Sequence, residues 1–172
     1  MKEALLSIIK DENRIITGQI DPQYLSDNLG RKKGTAEAVV FPVSTEEISG
    51  VMRYAWKNNL PVTPRGAGTN LVGSTVPSGH GIVLDVSLMN HVLELDEETF
   101  TATVEPGVVL EDFQAYVESK GLFYPPDPGE KKATIGGNIS TNAGGMRAVK
   151  YGVTRDYVMG VELVHSTHTA CI

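Results

Sequence analysis

The chain has 172 residues, 41% of them hydrophobic, so it can bury a core, and its net charge of −6 with no basic stripe argues against a nucleic-acid partner. No apolar run is long enough to cross a bilayer, and Met1–Arg14 mixes charged residues into what a secretory signal would keep apolar. Cys171 is the single cysteine, which excludes an internal disulfide and points to a reducing, cytoplasmic setting.

In chain order, Met1–Ile9 reads as a short amphipathic helix with Leu5, Ile8 and Ile9 on one side. Residues 17–33 are polar and irregular and read as a lead-in rather than a core element, and residues 1–34 together as a helical lead-in. Ala38–Phe41 is a short buried strand. Ser44-Thr45-Glu46-Glu47 is a capping box ahead of a helix carrying Ile48, Val51, Met52, Ala55 and Trp56, and Pro61–Thr63 begins a second strand. Strand, helix and strand together predict a parallel crossover. Gly81–Val86 reads as a strand, and His91–Leu95 with Phe100–Val104 as a pair joined by an acidic turn. Leu110, Phe113 and Val117 mark a second helix closed by Gly121. Tyr124–Gly129 is too proline-rich for helix or central strand, Ile135–Gly145 is a glycine-rich stretch, and Val158–Val164 is a last strand. The class is α+β with a mixed sheet.

Two glycine-rich segments carry chemistry. Pro64-Arg65-Gly66-Ala67-Gly68-Thr69-Asn70, continuing to Gly73, follows a strand directly. Small residues there let successive amides face one concavity that suits an anion, with Thr69 and Asn70 as side-chain donors and Arg65 as a fixed charge; a diphosphate is the natural occupant. The loop lacks both the third glycine of a dinucleotide fingerprint and the Gly-Lys-Ser/Thr of a P-loop. The second segment runs from Pro125-Pro126-Asp127-Pro128 through Thr134, Gly136, Gly137, Asn138, Ser140, Thr141 and Gly144. Backbone without side chains can lie against a flat ring, and amide and hydroxyl groups beside it can meet the ring's polar edge.

These segments resemble the FAD-binding domain of the p-cresol methylhydroxylase/vanillyl-alcohol oxidase flavoproteins, among which the glycolate oxidase flavin subunits and FAD-linked D-lactate dehydrogenases are the nearest kind. The likeness spans about Ala38 to Val164. It implies two small α/β subdomains (residues 35–110 and 111–172) with the flavin between them, the second incomplete, and a substrate domain absent. It adds Pro106 and Gly107 of Glu105-Pro106-Gly107-Val108, and Tyr151, Gly152, Gly160 and Val161 of a third block, to the cofactor residues. For Asp85 and Glu105 a hydrogen-bonded turn and a cofactor contact both fit. Some relatives attach flavin through a histidine near the end of the first loop; Thr69 and Asn70 stand there, which implies noncovalent FAD. The parent activity implied is oxidation of a D-2-hydroxy acid to the 2-oxo acid, with the substrate reached only through the missing domain and no catalytic residue in this chain.

After Val164 the pattern departs into His165–Ile172, which reads as a frayed or foreign tail; His165 and His168 are too few for a metal site. A fragment of an oxidoreductase, a self-sufficient flavin-binding module and one subunit of a split enzyme all remain open. A fragment would expose sheet edges through which a homodimer or a partner subunit could form.

Overall fold

The structure is a computed structural model that describes residues 1–165 and 170–171. It divides into two compact units: Met1–Leu88 joined by the residues from Gly160 on, and Met89–Met159. Among the described residues no helix is long and apolar enough to cross a membrane.

In the first unit, α1 (Lys2–Ile9), β1 (Ile15–Thr17), β2 (Ala38–Val40), α2 (Thr45–Lys57), β3 (Val62–Arg65) and β4 (Ile82–Asp85) follow in order. The sheet order is β1-β2-β4-β3, with β1 antiparallel to β2, and β2 and β3 each parallel to β4. The predicted crossover from β2 to β3 therefore leaves room for β4 in the middle. Strands β2 and β4 are buried on both faces, as central strands covered on both sides must be. Ala38, Val40, Ile82 and Leu84 pack with Leu5, Ile9, Val51 and Ala55 of the two helices. The alternate residues Val39 and Val83 pack with Ile20 on the opposite face. Leu5 and Ile9 are fully buried and contribute about 2 kcal/mol each. The lead-in is thus part of the core, and Ile15–Thr17 adds a strand that its polar surroundings concealed.

Helix α2 starts where its cap predicts, but only half the box forms. Ser44 Oγ accepts from the Glu47 amide at 3.3 Å, while the Glu47 carboxylate accepts from the Val43 amide at 2.9 Å and pairs with Arg14 at 2.6 Å. Burial opposes ionisation of Glu47, yet the hydrogen bond and charge of Arg14 prevail and hold its carboxyl below the usual range.

In the second unit, β5 (Val92–Asp96) and β6 (Thr101–Val104) form an antiparallel hairpin, followed by α3 (Leu110–Ser119), α4 (Ile135–Thr141) and α5 (Ala148–Tyr151). Val108, Leu110, Phe113, Val117 and Ile135 make its core. Gly121, at φ +74°, closes α3 as expected. Tyr124 sits edge-on to Phe113 and Tyr157, and burial pushes its phenol up to about 12.

The expected strand Val158–Val164 is corrected to β7 (Leu163–Val164), because Thr154–Tyr157 takes a tight helical turn just before it. β7 pairs antiparallel with β8 (Ala170–Cys171), so backbone expected to fray returns to form a ladder. His168 lies outside the described residues. Among the described residues no cluster of three or more metal-ligating side chains occurs.

Candidate functional site

In the first unit, β3 ends at Arg65 and the chain turns through Gly66–Gly73. Pro64 is tolerated in β3 because that strand lies at the sheet edge, bonded to β4 alone. Asn70 braces the turn: its Oδ1 accepts from the Ser74 amide at 3.0 Å and its Nδ2 donates to Thr75 Oγ1 at 2.5 Å. The Asn70 carbonyl accepts from the Asn28 amide at 3.1 Å, and the Gly73 carbonyl from the Val76 amide at 3.1 Å. The loop is therefore held through its carbonyls and one side chain. Among the described residues, none of the backbone N–H groups from Gly66 to Gly73 finds an acceptor in the chain. Free amides in a glycine-rich turn are the donors an anion-binding nest requires. Thr69 is half-buried in the same turn and Ala67 is exposed.

Arg65 lies under the loop at Gly68 and is held from inside the unit. Its residue is 9% exposed, its Nε lies 3.8 Å from Asp85 Oδ2, Nη1 donates to the Ser26 carbonyl at 3.5 Å, and the guanidinium lies over the Tyr24 ring. A side chain at Gly68, which has φ +71°, would collide with that guanidinium. Gly68 thus makes room for an internal arginine. Burial lowers the Arg65 pKa and raises that of Asp85, more than their mutual attraction at this distance restores. Asp85 also accepts from the Ser87 amide at 2.9 Å in a local turn, and Glu105 from the His91 amide at 2.8 Å across the base of the β5–β6 hairpin.

The second segment, expected as loop, is corrected at Ile135–Thr141 to helix α4. Its first turn is satisfied from within the unit: Thr134 Oγ1 accepts from the Gly137 amide at 3.2 Å, and the Val108 and Pro106 carbonyls take the amides of Ile135 and Gly136 at 2.8 and 2.9 Å. Gly107 is buried beside them, its amide donating to the Met89 carbonyl at 2.7 Å. A methyl group on Gly136 would stand 2.7 Å from Pro106 Cβ, so packing against Pro106 accounts for that glycine. Gly137 differs. It is exposed, and a Cβ there would meet only Thr134 Oγ1, at 3.1 Å.

Asn138 is 3% exposed, and its Nδ2 is, among the described residues, a buried side-chain donor with no acceptor. Ser140 and Thr141 are exposed, but their hydroxyls donate to the Gly136 and Gly137 carbonyls at 2.8 and 3.0 Å, leaving only lone pairs for a ligand.

The rest of the segment is framework. The Pro126 carbonyl accepts from Gln114 Nε2 at 3.0 Å. Asp127 is 5% exposed and pairs with Lys131 at 2.6 Å and Arg147 at 3.5 Å; the Lys131 hydrogen bond holds its carboxyl below the usual range. Gly144 lies under Val153, and the Ala143 carbonyl accepts both the amide and the hydroxyl of fully buried Thr154. The Tyr151 carbonyl accepts from the Tyr157 hydroxyl at 2.6 Å, and Gly152, at φ +85°, faces the Asp156 carboxylate. Gly160, with open space where a side chain would stand, and exposed Val161 belong to the first unit.

The run Arg31-Lys32-Lys33 places three cations together in an acidic chain. The stem of Lys32 lies against Gly73, with Cδ 2.7 Å from where a Cβ would stand.

A run of free amides in a glycine-rich turn suits a diphosphate, which FAD carries. Comparison with known proteins agrees. The family described as FAD binding domain matches residues 36–170, which extends the likeness past Val164 and corrects the reading of the tail as foreign. The chain is 47% identical over 165 residues to glycolate oxidase subunit GlcD of Bacillus subtilis, covering 95% of this chain and 35% of that one. It is 46% identical over 156 residues to a D-lactate dehydrogenase of Anaerostipes hadrus, covering 90% and 33%. It thus spans about a third of the length of the curated relatives it matches. Among solved structures, alkyldihydroxyacetonephosphate synthase superposes with a TM-score of 0.84 at 22% identity, covering 96% of this chain and 33% of that one. A berberine bridge enzyme variant gives 0.81 at 24%, covering 99% and 37%. The chain belongs to the FAD-binding-domain family and has the fold of the p-cresol methylhydroxylase-type flavoproteins.

Proposed function

We propose that this chain is the FAD-holding part of a cytoplasmic oxidoreductase that converts a D-2-hydroxy acid, of glycolate or D-lactate type, to the 2-oxo acid. The observation that carries the cofactor reading is the run of amides from Gly66 to Gly73 without acceptors in the chain. The substrate class rests on the relatives, a glycolate oxidase subunit and a D-lactate dehydrogenase.

When bound, flavin supplies the two-electron redox chemistry. The chain's own task is to bind and orient. The Gly66–Gly73 amides take the diphosphate oxygens. Gly137 would leave a bare surface on α4 for a flat ring. Thr134, Pro106 and Gly136 fix the start of α4 so that this surface stays in place. Binding is noncovalent, since the first loop holds Thr69 and Asn70 and no histidine. No residue here is assigned to proton transfer, and substrate specificity belongs to the rest of the protein.

The test is a binding titration of the purified chain with FAD and with riboflavin, which has no phosphate. FAD is expected to bind at least about tenfold more tightly, the worth of one charge-assisted contact. Equal affinity for both would sink the assignment of the loop. For the substrate class, D-lactate or glycolate added without oxygen to the flavin-loaded protein, joined to the remainder of its enzyme, should bleach the yellow flavin band. L-lactate should leave it unchanged.

A further inference from the structure

We propose that Lys32, presented by the segment Ser26–Gly34, is the cation that neutralises the diphosphate at the Gly66–Gly73 loop; this rests on the FAD reading above. A diphosphate diester is a dianion, and backbone amides offer only partial charges. In a chain of net charge −6, a nearby full cation has a large effect on affinity. Arg65, whose guanidinium lies under Gly68, is 9% exposed and already faces Asp85 and Tyr24, whereas Lys32 is exposed.

The lead-in supplies another. Its segment closes on itself through a bridge from Ser26 to Lys33 and a bond from the Gly34 amide to the Leu25 carbonyl at 2.7 Å. It is tied to the loop by the Asn28 amide on the Asn70 carbonyl, and to β3 by Arg65 on the Ser26 carbonyl. The exposed Lys32 side chain then lies along the far end of the nest, its Nζ 3.4 Å from the position a Gly73 Cβ would take. Among the described residues, Lys32 makes no ion pair. Gly73, at φ +81°, is thereby doubly required: a side chain would strain the backbone and displace the lysine stem. An ammonium with three rotatable donors suits a diphosphate that the loop already orients. Arg31, next in sequence, has its amide on Asp27 Oδ1 and shares no contact with Gly73.

The experiment measures FAD and riboflavin affinity for the full chain and for Lys32→Ala, Lys32→Arg and Arg31→Ala, with thermal melts to confirm that each folds. Lys32→Ala should weaken FAD about tenfold and leave riboflavin unchanged, the loss shrinking as salt rises. Lys32→Arg should keep most of the affinity, and Arg31→Ala should stay within about twofold, as a screened surface charge does. Equal losses from Lys32→Ala and Arg31→Ala would reduce the effect to general surface charge and overturn the proposal. Unchanged FAD affinity in Lys32→Ala, with the parent chain binding FAD normally, would overturn it while leaving the function intact. A parent chain that binds FAD no better than riboflavin would remove the diphosphate assignment and this inference together.

Discussion

The two glycine-rich segments look alike in sequence and do opposite things with their backbone. From Gly66 to Gly73 the carbonyls and the Asn70 side chain hold the turn, and the amides are left over. From Thr134 to Gly145 the amides of the first helical turn are consumed by Thr134, Val108 and Pro106, which leaves an exposed, side-chain-free face at Gly137 and, enclosed within the unit, Asn138 Nδ2 without an acceptor among the described residues. The first arrangement suits an anion that accepts many bonds. The second suits a ligand that is broad and flat and has few polar atoms. Glycine content alone does not separate the two; the destination of each amide does.

The largest expected effect tests whether Arg65 belongs to the frame of the first segment or to its ligand. Removing one member of a buried pair costs about 3 kcal/mol or more, because the other charge stays buried alone. Arg65→Ala should therefore lower the melting temperature by roughly 6–12 °C, followed by the fluorescence of Trp56, the single tryptophan and a residue of the same unit. A variant with parental melting behaviour and lost FAD affinity would return Arg65 to the diphosphate.

Gly137→Val tests the second segment with the opposite signature. The site is an exposed helical position with no neighbour closer than Thr134 Oγ1, so folding should change by less than about 1 kcal/mol. Flavin binding should be abolished, because the new side chain occupies the face assigned to the ring. Retained flavin with unchanged stability would take α4 out of the site.

Much of this was legible in the sequence because it rests on local rules. Ser44 caps α2, Gly121 ends α3, and the unbroken apolar run from Ala38 marks a buried strand. Other features depend on partners far away in the chain. Helix α4 was hidden because glycine disfavours helix, and the carbonyls of Pro106 and Val108, with the Thr134 cap, make good the start of this one. β4 lies between β2 and β3 although it follows both in sequence, so strand order was not readable from spacing. Within the candidate site, both glycine segments could be found, but the direction of a side chain could not. Arg65 turns inward, and the cavity that admits it is made by Gly68, three residues later. Lys32 lies some forty positions before the glycine it covers, in a stretch whose polarity suggested no role.

The smallest effect concerns how each segment is supported, and it carries opposite signs in the two units. Burial raises the Asp85 pKa in the folded first unit, whereas the Lys131 hydrogen bond lowers that of Asp127 in the second. A carboxyl with a lowered folded pKa contributes stability that is complete above its unfolded value, about 4, and is lost as pH falls through the folded value. A raised folded pKa works the other way: protonation in the folded state relieves a cost, so the first unit gains from this group as pH falls. Mild acid should therefore loosen the Asp127 region and spare the Asp85 region, while Glu47 of the first unit, held low by Arg14, adds its own acid-dependent loss at the start of α2. Hydrogen exchange at pH 3 should show the Ala143 and Thr154 region opening while β2 and β4 stay protected. Asp127→Asn should remove the acid-dependent part of that opening, leaving a protection that no longer varies with pH. Simultaneous opening of both units would show that Asp127 does not set the acid response of the segment it anchors.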